Sequence, residues 1–257
     1  MIERRLEQMV AEGVRFETET VVGVDLSQRY LLKNYDAVLL ALGATKPRDL
    51  QIPGRNLEGI HVAMDLLTQQ SRLDAGDPVD PSKLIDPEGK DVVVIGGGDT
   101  GADCVGTVLR RKAASVVQLE LLDKPPVVRP GDTPWPEWPR ILRTASSHEE
   151  GCRRMWSIQT REFIGNQRVE QVHCEQIQWK GGSFQKVQGS EFALDAQLVL
   201  LCLGFTPDTE TSLVRDFGIS LGQQHPPGEV TPCASEDKRI WAAGDIVSGA
   251  SLVVKAI

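Results

Sequence analysis

Three glycines in the segment Asp91-Val-Val-Val-Ile-Gly-Gly-Gly-Asp-Thr-Gly101 carry a spacing that can do chemistry. In Gly96-x-Gly98-x-x-Gly101 the first glycine turns the chain sharply out of a strand. The second lets a pyrophosphate approach the backbone, and the third lets the following helix pack close to the strand. The helix-start amides of Asp99, Thr100 and Gly101 would face the anion with the helix dipole behind them. Gly96, Gly97, Gly98, Asp99, Thr100 and Gly101 are therefore candidate cofactor-binding residues. The same spacing also occurs in a bare structural turn. Here the pattern follows four β-branched residues, opens a helix reaching about Lys112, and precedes a second buried strand, Ser115 to Leu122. That is one strand–helix–strand unit of about 30 residues.

The end of the second strand selects the cofactor. A carboxylate there hydrogen-bonds the ribose hydroxyls of NADH, whereas arginines accept the 2′-phosphate of NADPH. The strand ends Gln118-Leu-Glu120-Leu-Leu-Asp123, which puts Glu120 near the expected spacing of about 20 residues. No arginine follows before Arg129. NADH is the favoured cofactor and NADPH the alternative. A one-residue slip of register would turn Glu120 to solvent.

Two more glycine turns follow buried strands, at Ala41-Leu-Gly43-Ala-Thr45 and Cys202-Leu-Gly204-Phe-Thr206. They read as one structural piece used twice, which implies two dinucleotide domains and makes Gly43, Thr45 and Gly204 candidate cofactor contacts. Gly244-Asp245 closes a last strand, Lys238 to Ala243. Asp245 is placed to bind a sugar-alcohol hydroxyl and is equally an ordinary helix cap.

These turns need elements to hold them. Ile2 to Glu12 reads as a helix stopped by Gly13, Val14 to Val24 as an alternating strand, and Asp36 to Gly43 as a buried strand. His61 to Leu73 reads as a helix. Residues 125–140 form a proline- and tryptophan-rich loop. Gln167 to Lys180, Ser183 to Val187 and Glu191 to Leu194 read as antiparallel strands, and Gln197 to Leu203 as another buried strand.

Composition bounds the function. Net charge is −8, from 28 basic and 36 acidic residues, which argues against a nucleic-acid partner. No apolar run approaches the ~20 residues of a membrane helix, and a cytoplasmic location is expected. The five cysteines form no CxxC pair, which weakens zinc, iron–sulfur and redox-disulfide readings. His61, His148, His173 and His225 show no metal spacing. Neither a metal nor a catalytic side chain is expected.

Taken together, Val92 to Thr107, Ala242 to Ile257, Glu12 to Phe16 and Ala41 to Arg48 resemble the small subunit of glutamate synthase and its relatives. The segment from Pro125-Pro126 through the tryptophan-rich loop to Arg161-Glu-Phe-Ile-Gly165 resembles the branch that carries Leu-Glu-Leu-Leu where other members carry paired arginines. The resemblance covers essentially the whole chain.

It implies a Rossmann-like α/β domain, a parallel sheet plus an antiparallel layer, inserted in a partial second, FAD-binding α/β domain. The expected boundaries are 1–55, 56–225 and 226–257. It implies that Asp245 bonds the flavin ribityl chain and that Leu252 and Val253 present helix-start amides to the flavin ring. It implies hydride transfer from NAD(P)H to FAD, feeding a large subunit that makes L-glutamate from glutamine and 2-oxoglutarate. The alternatives are a non-catalytic dinucleotide-binding module and a related NAD(P)H:flavin oxidoreductase with another acceptor. Family members also carry an N-terminal cysteine-rich iron–sulfur region, a flavin fingerprint and a C-terminal Glu-Gly-Arg helix, which this sequence lacks. The sequence is therefore expected to be a fragment, with FAD bound in the intact enzyme and substoichiometric or absent in this chain.

Overall fold

A computed structural model describes residues 2–136, 140–180, 182–208, 210, 212–218 and 237–250. In chain order the helices are α1 (Ile2–Ala11), α2 (Gln28–Asn34), α3 (Ala63–Ala75), α4 (Asp99–Arg110), α5 (Ser146–Glu149), α6 (Ser212–Asp216) and α7 (Asp245–Ser248). The strands up to the glycine unit are β1 (Val38–Leu40), β2 (Lys46–Pro47), β3 (Ile60–Val62), β4 (Asp91–Ile95) and β5 (Ser115–Leu119). Then follow β6 (Arg153–Met155), β7 (Ile158–Gly165), β8 (Val169–Lys180), β9 (Ser183–Lys186) and β10 (Phe192–Asp195). The last three are β11 (Leu198–Leu201), β12 (Phe205–Thr206) and β13 (Ile240–Ala242). The chain divides into two compact units, Pro47–Gly204 and the flanking pair Met1–Lys46 with Phe205–Ile257.

In the Pro47–Gly204 unit a five-stranded parallel sheet runs β3-β11-β4-β5-β6. Its central strands have little polar surface because both faces are covered. Alternation along β4 sorts the side chains. Val92 and Val94 pack under α3 and α4 with Leu66, Val105, Val108, Leu198 and Leu200. Val93 and Ile95 face the other way, onto Phe163, Val172 and Cys174 of the antiparallel sheet β10-β8-β7. β9 pairs with the far end of β8. Buried positions Ala102, Val105 and Val108 recur along α4 at helical spacing, while Asp99, Asp103 and Arg110 stay exposed. Gln69 of α3 pins the following loop by donating to the Ile85 carbonyl (3.0 Å) and accepting from its N–H (2.8 Å).

The flanking unit pairs β1 with β13 in parallel, Val38 opposite Ile240 and Leu40 opposite Ala242. One face of this pair packs Leu40 and Ile240 on Leu213, Val214 and Phe217. The cross-strand neighbours Leu39 and Trp241 are 65% and 54% exposed on the other. Ser27 caps α2 by accepting from the Tyr30 N–H (3.2 Å).

Two expectations are corrected, and one further stretch carries elements that were not expected. Val14 to Val24 forms no strand; a single bridge, Val22 to Leu26, closes a turn there. Alternation supplies a face, but a strand also needs a partner ladder, and Val14, Phe16, Val21 and Val24 are exposed. The stretch from His61 begins as the edge strand β3, and its helix starts only at Ala63. Residues 146–165 hold α5, β6 and β7, none of them anticipated. No helix among the described residues is long and apolar enough to cross a membrane.

Leu200, fully buried between α3, α4 and β4, contrasts with exposed Leu39. Leu200→Ala is expected to cost about 2–5 kcal/mol in urea unfolding. Leu39→Ala should stay within ~0.5 kcal/mol; equal costs would contradict this division of the core.

Candidate functional site

The candidate site lies where β4 ends and α4 begins. Gly96 sits at φ +126°, a conformation side chains rarely adopt, and a Cβ there would run into the Cys202 carbonyl oxygen. Its N–H donates to the Leu119 carbonyl (2.8 Å), so the β4–β5 ladder carries into the turn. A Cβ on Gly101 would strike the Gly96 carbonyl oxygen and the Gln118 amide. Gly96 and Gly101 thus let β4, β5, α4 and the end of β11 meet closely. Gly98 differs. It caps α4 at φ −79°, and a Cβ there would meet nothing. Gly98 and Asp99 are exposed, so the helix-start amides open to a ligand.

Glu120 lies beside this turn because β5 runs parallel to β4 and ends at the same sheet edge. Its Oε2 accepts from the Gly97 N–H (2.7 Å) and its Oε1 from the Leu122 N–H (2.9 Å). The side chain is half-buried. Two backbone donors therefore orient one carboxylate along the turn, each bond being charge-assisted. A Cβ on Gly97 would displace that carboxylate.

Behind the turn lies a residue whose role was not anticipated. Gln118, 1% exposed in β5, donates from Nε2 to the Gly96 carbonyl (2.9 Å). Its Oε1 meets Nε2 of His148 on α5 (2.9 Å), and His148 Nδ1 accepts from the Ala145 N–H (3.0 Å). A glutamine inside an otherwise apolar strand was the available signal, since a buried amide requires partners.

A strand, a glycine turn, a helix start with Gly98 and Asp99 exposed, and an oriented carboxylate are the parts a dinucleotide site would need. The family described as pyridine nucleotide-disulphide oxidoreductase matches residues 2–257. The chain belongs to this family.

Among its relatives, the Mycobacterium tuberculosis glutamate synthase [NADPH] small chain is 42% identical over 260 residues, covering 100% of this chain and 53% of that protein. The Bacillus subtilis glutamate synthase [NADPH] small chain is 37% identical over 270 residues, with 100% and 55% covered. The Schizosaccharomyces pombe glutamate synthase [NADH] is 38% identical over 275 residues, with 100% and 13% covered. This chain spans about half the length of the two bacterial relatives. Among solved structures, Mycobacterium tuberculosis FprA in complex with NADPH superposes with a TM-score of 0.68 at 18% identity, covering 98% of this chain and 67% of that one. T. acidophilum thioredoxin reductase gives a TM-score of 0.54 at 18% identity, with 86% of this chain and 60% of that one covered. These neighbours share the fold.

Within this pyridine nucleotide-disulphide oxidoreductase chain, the candidates fall into two groups. Gly96 to Gly101, Glu120 and Gly204 belong to the Pro47–Gly204 unit. Gly204, at φ +81°, follows β11, whose end is tied to β4 by the Cys202 N–H on the Ile95 carbonyl (2.8 Å). Gly43, Thr45, Gly244 and Asp245 belong to the flanking unit. Gly43 and Gly244 both have positive φ, and both follow the C-terminal ends of the paired strands β1 and β13. Asp245 opens α7. Leu252 and Val253 lie outside the described residues.

Gly96→Ala combines a strained φ with a backbone overlap and is expected to cost about 1–3 kcal/mol in chemical unfolding. Gly98→Val should cost less, about 0.5–1 kcal/mol, as a poorer helix cap without any overlap. A large loss at Gly98 would show that it serves the fold itself.

Proposed function

We propose that this chain is the pyridine-nucleotide part of a flavin-dependent oxidoreductase of the glutamate synthase small-subunit type, and that it takes NADH. The observation that carries the proposal is the helix start opened at exposed Gly98 and Asp99, with the Glu120 carboxylate fixed beside it by the Gly97 and Leu122 amides. Gly98 leaves space for a pyrophosphate, and the α4 amides and dipole favour its charge. Glu120 then takes the adenosine ribose hydroxyls. The glycine-turn residues, Glu120 and Gly204 are the proposed dinucleotide contacts. Gly43, Thr45, Gly244 and Asp245, with Leu252 and Val253, are the proposed flavin contacts. The dinucleotide would supply a hydride and the flavin would receive it; the protein contributes binding and orientation rather than a general acid.

The proposed partner is a glutamate synthase large subunit or domain. There the electrons serve L-glutamate formation from glutamine and 2-oxoglutarate. The relatives' names support this role, and the proposed cellular setting is the cytoplasm.

Of the three relatives named above, two carry NADPH in their names and one carries NADH. The electrostatics favour NADH. A 2′-phosphate at ~4 Å from a carboxylate, at an effective dielectric near 20, is repelled by about 4 kcal/mol per unit charge before screening. The cations at the C-terminal end of α4 do not relieve this. Arg110, Arg111 and Lys112 end α4, whose 12 residues place them about 18 Å from the glycine turn. They meet Glu150, Asp86 and Glu88 respectively.

Calorimetric titration should show NADH binding at least about tenfold more tightly than NADPH, a difference of ~1.4 kcal/mol. Glu120→Gln should narrow that ratio, and Gly98→Val should weaken both dinucleotides without unfolding the chain. Equal affinities in the wild type, or an unchanged ratio in Glu120→Gln, would remove Glu120 from this role. No binding of either dinucleotide would remove the site.

A further inference from the structure

The His148–Gln118–Gly96 chain has one polarity, fixed by its two ends. The Ala145 N–H can only donate, so His148 Nδ1 is the acceptor and the ring proton sits on Nε2. That proton is donated to Gln118 Oε1, and Gln118 Nε2 donates in turn to the Gly96 carbonyl, which can only accept. Both ends of a fully buried amide are used, and the last bond falls on the residue whose backbone makes the glycine turn.

The position of His148 is built as well. Gly106 lets α5 approach α4 closely, since a Cβ there would press on the Cβ of buried Ser147 at 2.8 Å. His148 is the third residue of α5 and reaches back to the cap residue, whose own side chain has no oxygen to complete the box.

We infer that His148 is a positioning residue for the dinucleotide turn, holding the Gly96 carbonyl through Gln118 and releasing it when the imidazole takes up a second proton. This rests on the dinucleotide reading of that turn. In the imidazolium both ring nitrogens are donors. A proton on Nδ1 would oppose the Ala145 N–H, and the ring must leave the position from which Nε2 reaches Gln118. The Gln118 amide then loses its acceptor-side partner and its fixed orientation.

The surrounding charges resist this protonation. Burial, and then Arg154 of β6, hold the His148 pKa below its ordinary 6.5. Across α4 and α5 lies the Arg110–Glu150 ion pair, Glu149 is the chain neighbour, and the Cys152 thiol lies against the Gln118 backbone. Because the folded value is depressed, the relay is fully present above the ordinary pKa and is lost as pH falls through the lower folded one. Dinucleotide affinity is thereby tied to pH on the acidic side of neutrality.

The test uses NAD+, which carries no 2′-phosphate to titrate, with the full chain. Calorimetry from pH ~7.5 to ~5.5 should show wild-type affinity falling about two- to tenfold, the loss of one hydrogen bond. His148→Gln, whose amide can donate to Gln118 without titrating, should bind near the wild-type level at pH ~7.5 and show a flat profile. His148→Leu should bind weakly and also be flat. A flat wild type, or a wild-type slope retained in His148→Gln, overturns the inference. If the wild type binds no NAD+ at any pH, the dinucleotide reading fails instead, and the relay is read in the free protein. There, hydrogen-exchange protection of the residue 97–101 amides should fall as His148 is protonated in the wild type and not in His148→Gln. Unchanged protection, or a ring proton found on Nδ1 by nitrogen NMR at neutral pH, overturns the inference too.

Discussion

The close approach of backbone at Gly96 is the constraint on which the nucleotide unit depends. One residue ends β4, takes φ +126°, lies against the Cys202 carbonyl and donates to Leu119. Its own carbonyl sits where a Cβ on Gly101 would be and receives the Gln118 amide. Strands β4, β5 and β11 and helix α4 converge there without room for one more carbon atom. Interiors are packed densely enough that such a point fixes the neighbouring elements in both position and direction. The aim of α4, and the alignment of Glu120 with the turn, follow from it.

The rest of the unit keeps that point rigid. The parallel sheet is covered on one face by helices and on the other by antiparallel strands, so β4 and β11 have no polar side to turn outward. Slippage of either strand by one residue would exchange the contents of the two cores. The glycine turn is consequently held at a fixed height on the sheet edge. Of its three glycines, Gly98 alone is left unconstrained by neighbouring atoms, and Gly98 is exposed. Packing claims Gly96 and Gly101, while openness to a ligand distinguishes Gly98.

Charge is arranged along α4 in the same sense. Asp99 opens it, Arg110 closes it, and Arg111 and Lys112 continue beyond that end. These cations lie at the dipole's negative end, and each meets a carboxylate there. The carboxylate proposed to select the cofactor, Glu120, follows a different element, β5, and is oriented by backbone rather than by a counter-charge. Backbone donors cannot swing away as a lysine can, so the negative charge stays by the turn.

Much of the site was legible in sequence because glycine spacing and strand periodicity are local properties. The sequence by itself indicated the strand–turn–helix from Asp91 to about Lys112, the partner strand beginning at Ser115, and the antiparallel run from Gln167 to Leu194, and the structure forms each of them with slightly different ends. It also indicated that the segments around Asp36 and Lys238 belong together, as the pairing of Val38 with Ile240 bears out. Tertiary structure alone decided the remainder. Val14 to Val24 had a strand's alternation but pairs with no strand among the described residues. The seating of α5 on Gly106, and with it the reach of His148 to Gln118, joins residues far apart in the chain through a hydrogen bond that no periodicity encodes. The direction of the Glu120 side chain was likewise undecidable from spacing, because a strand residue can face either way until its register with β4 is set.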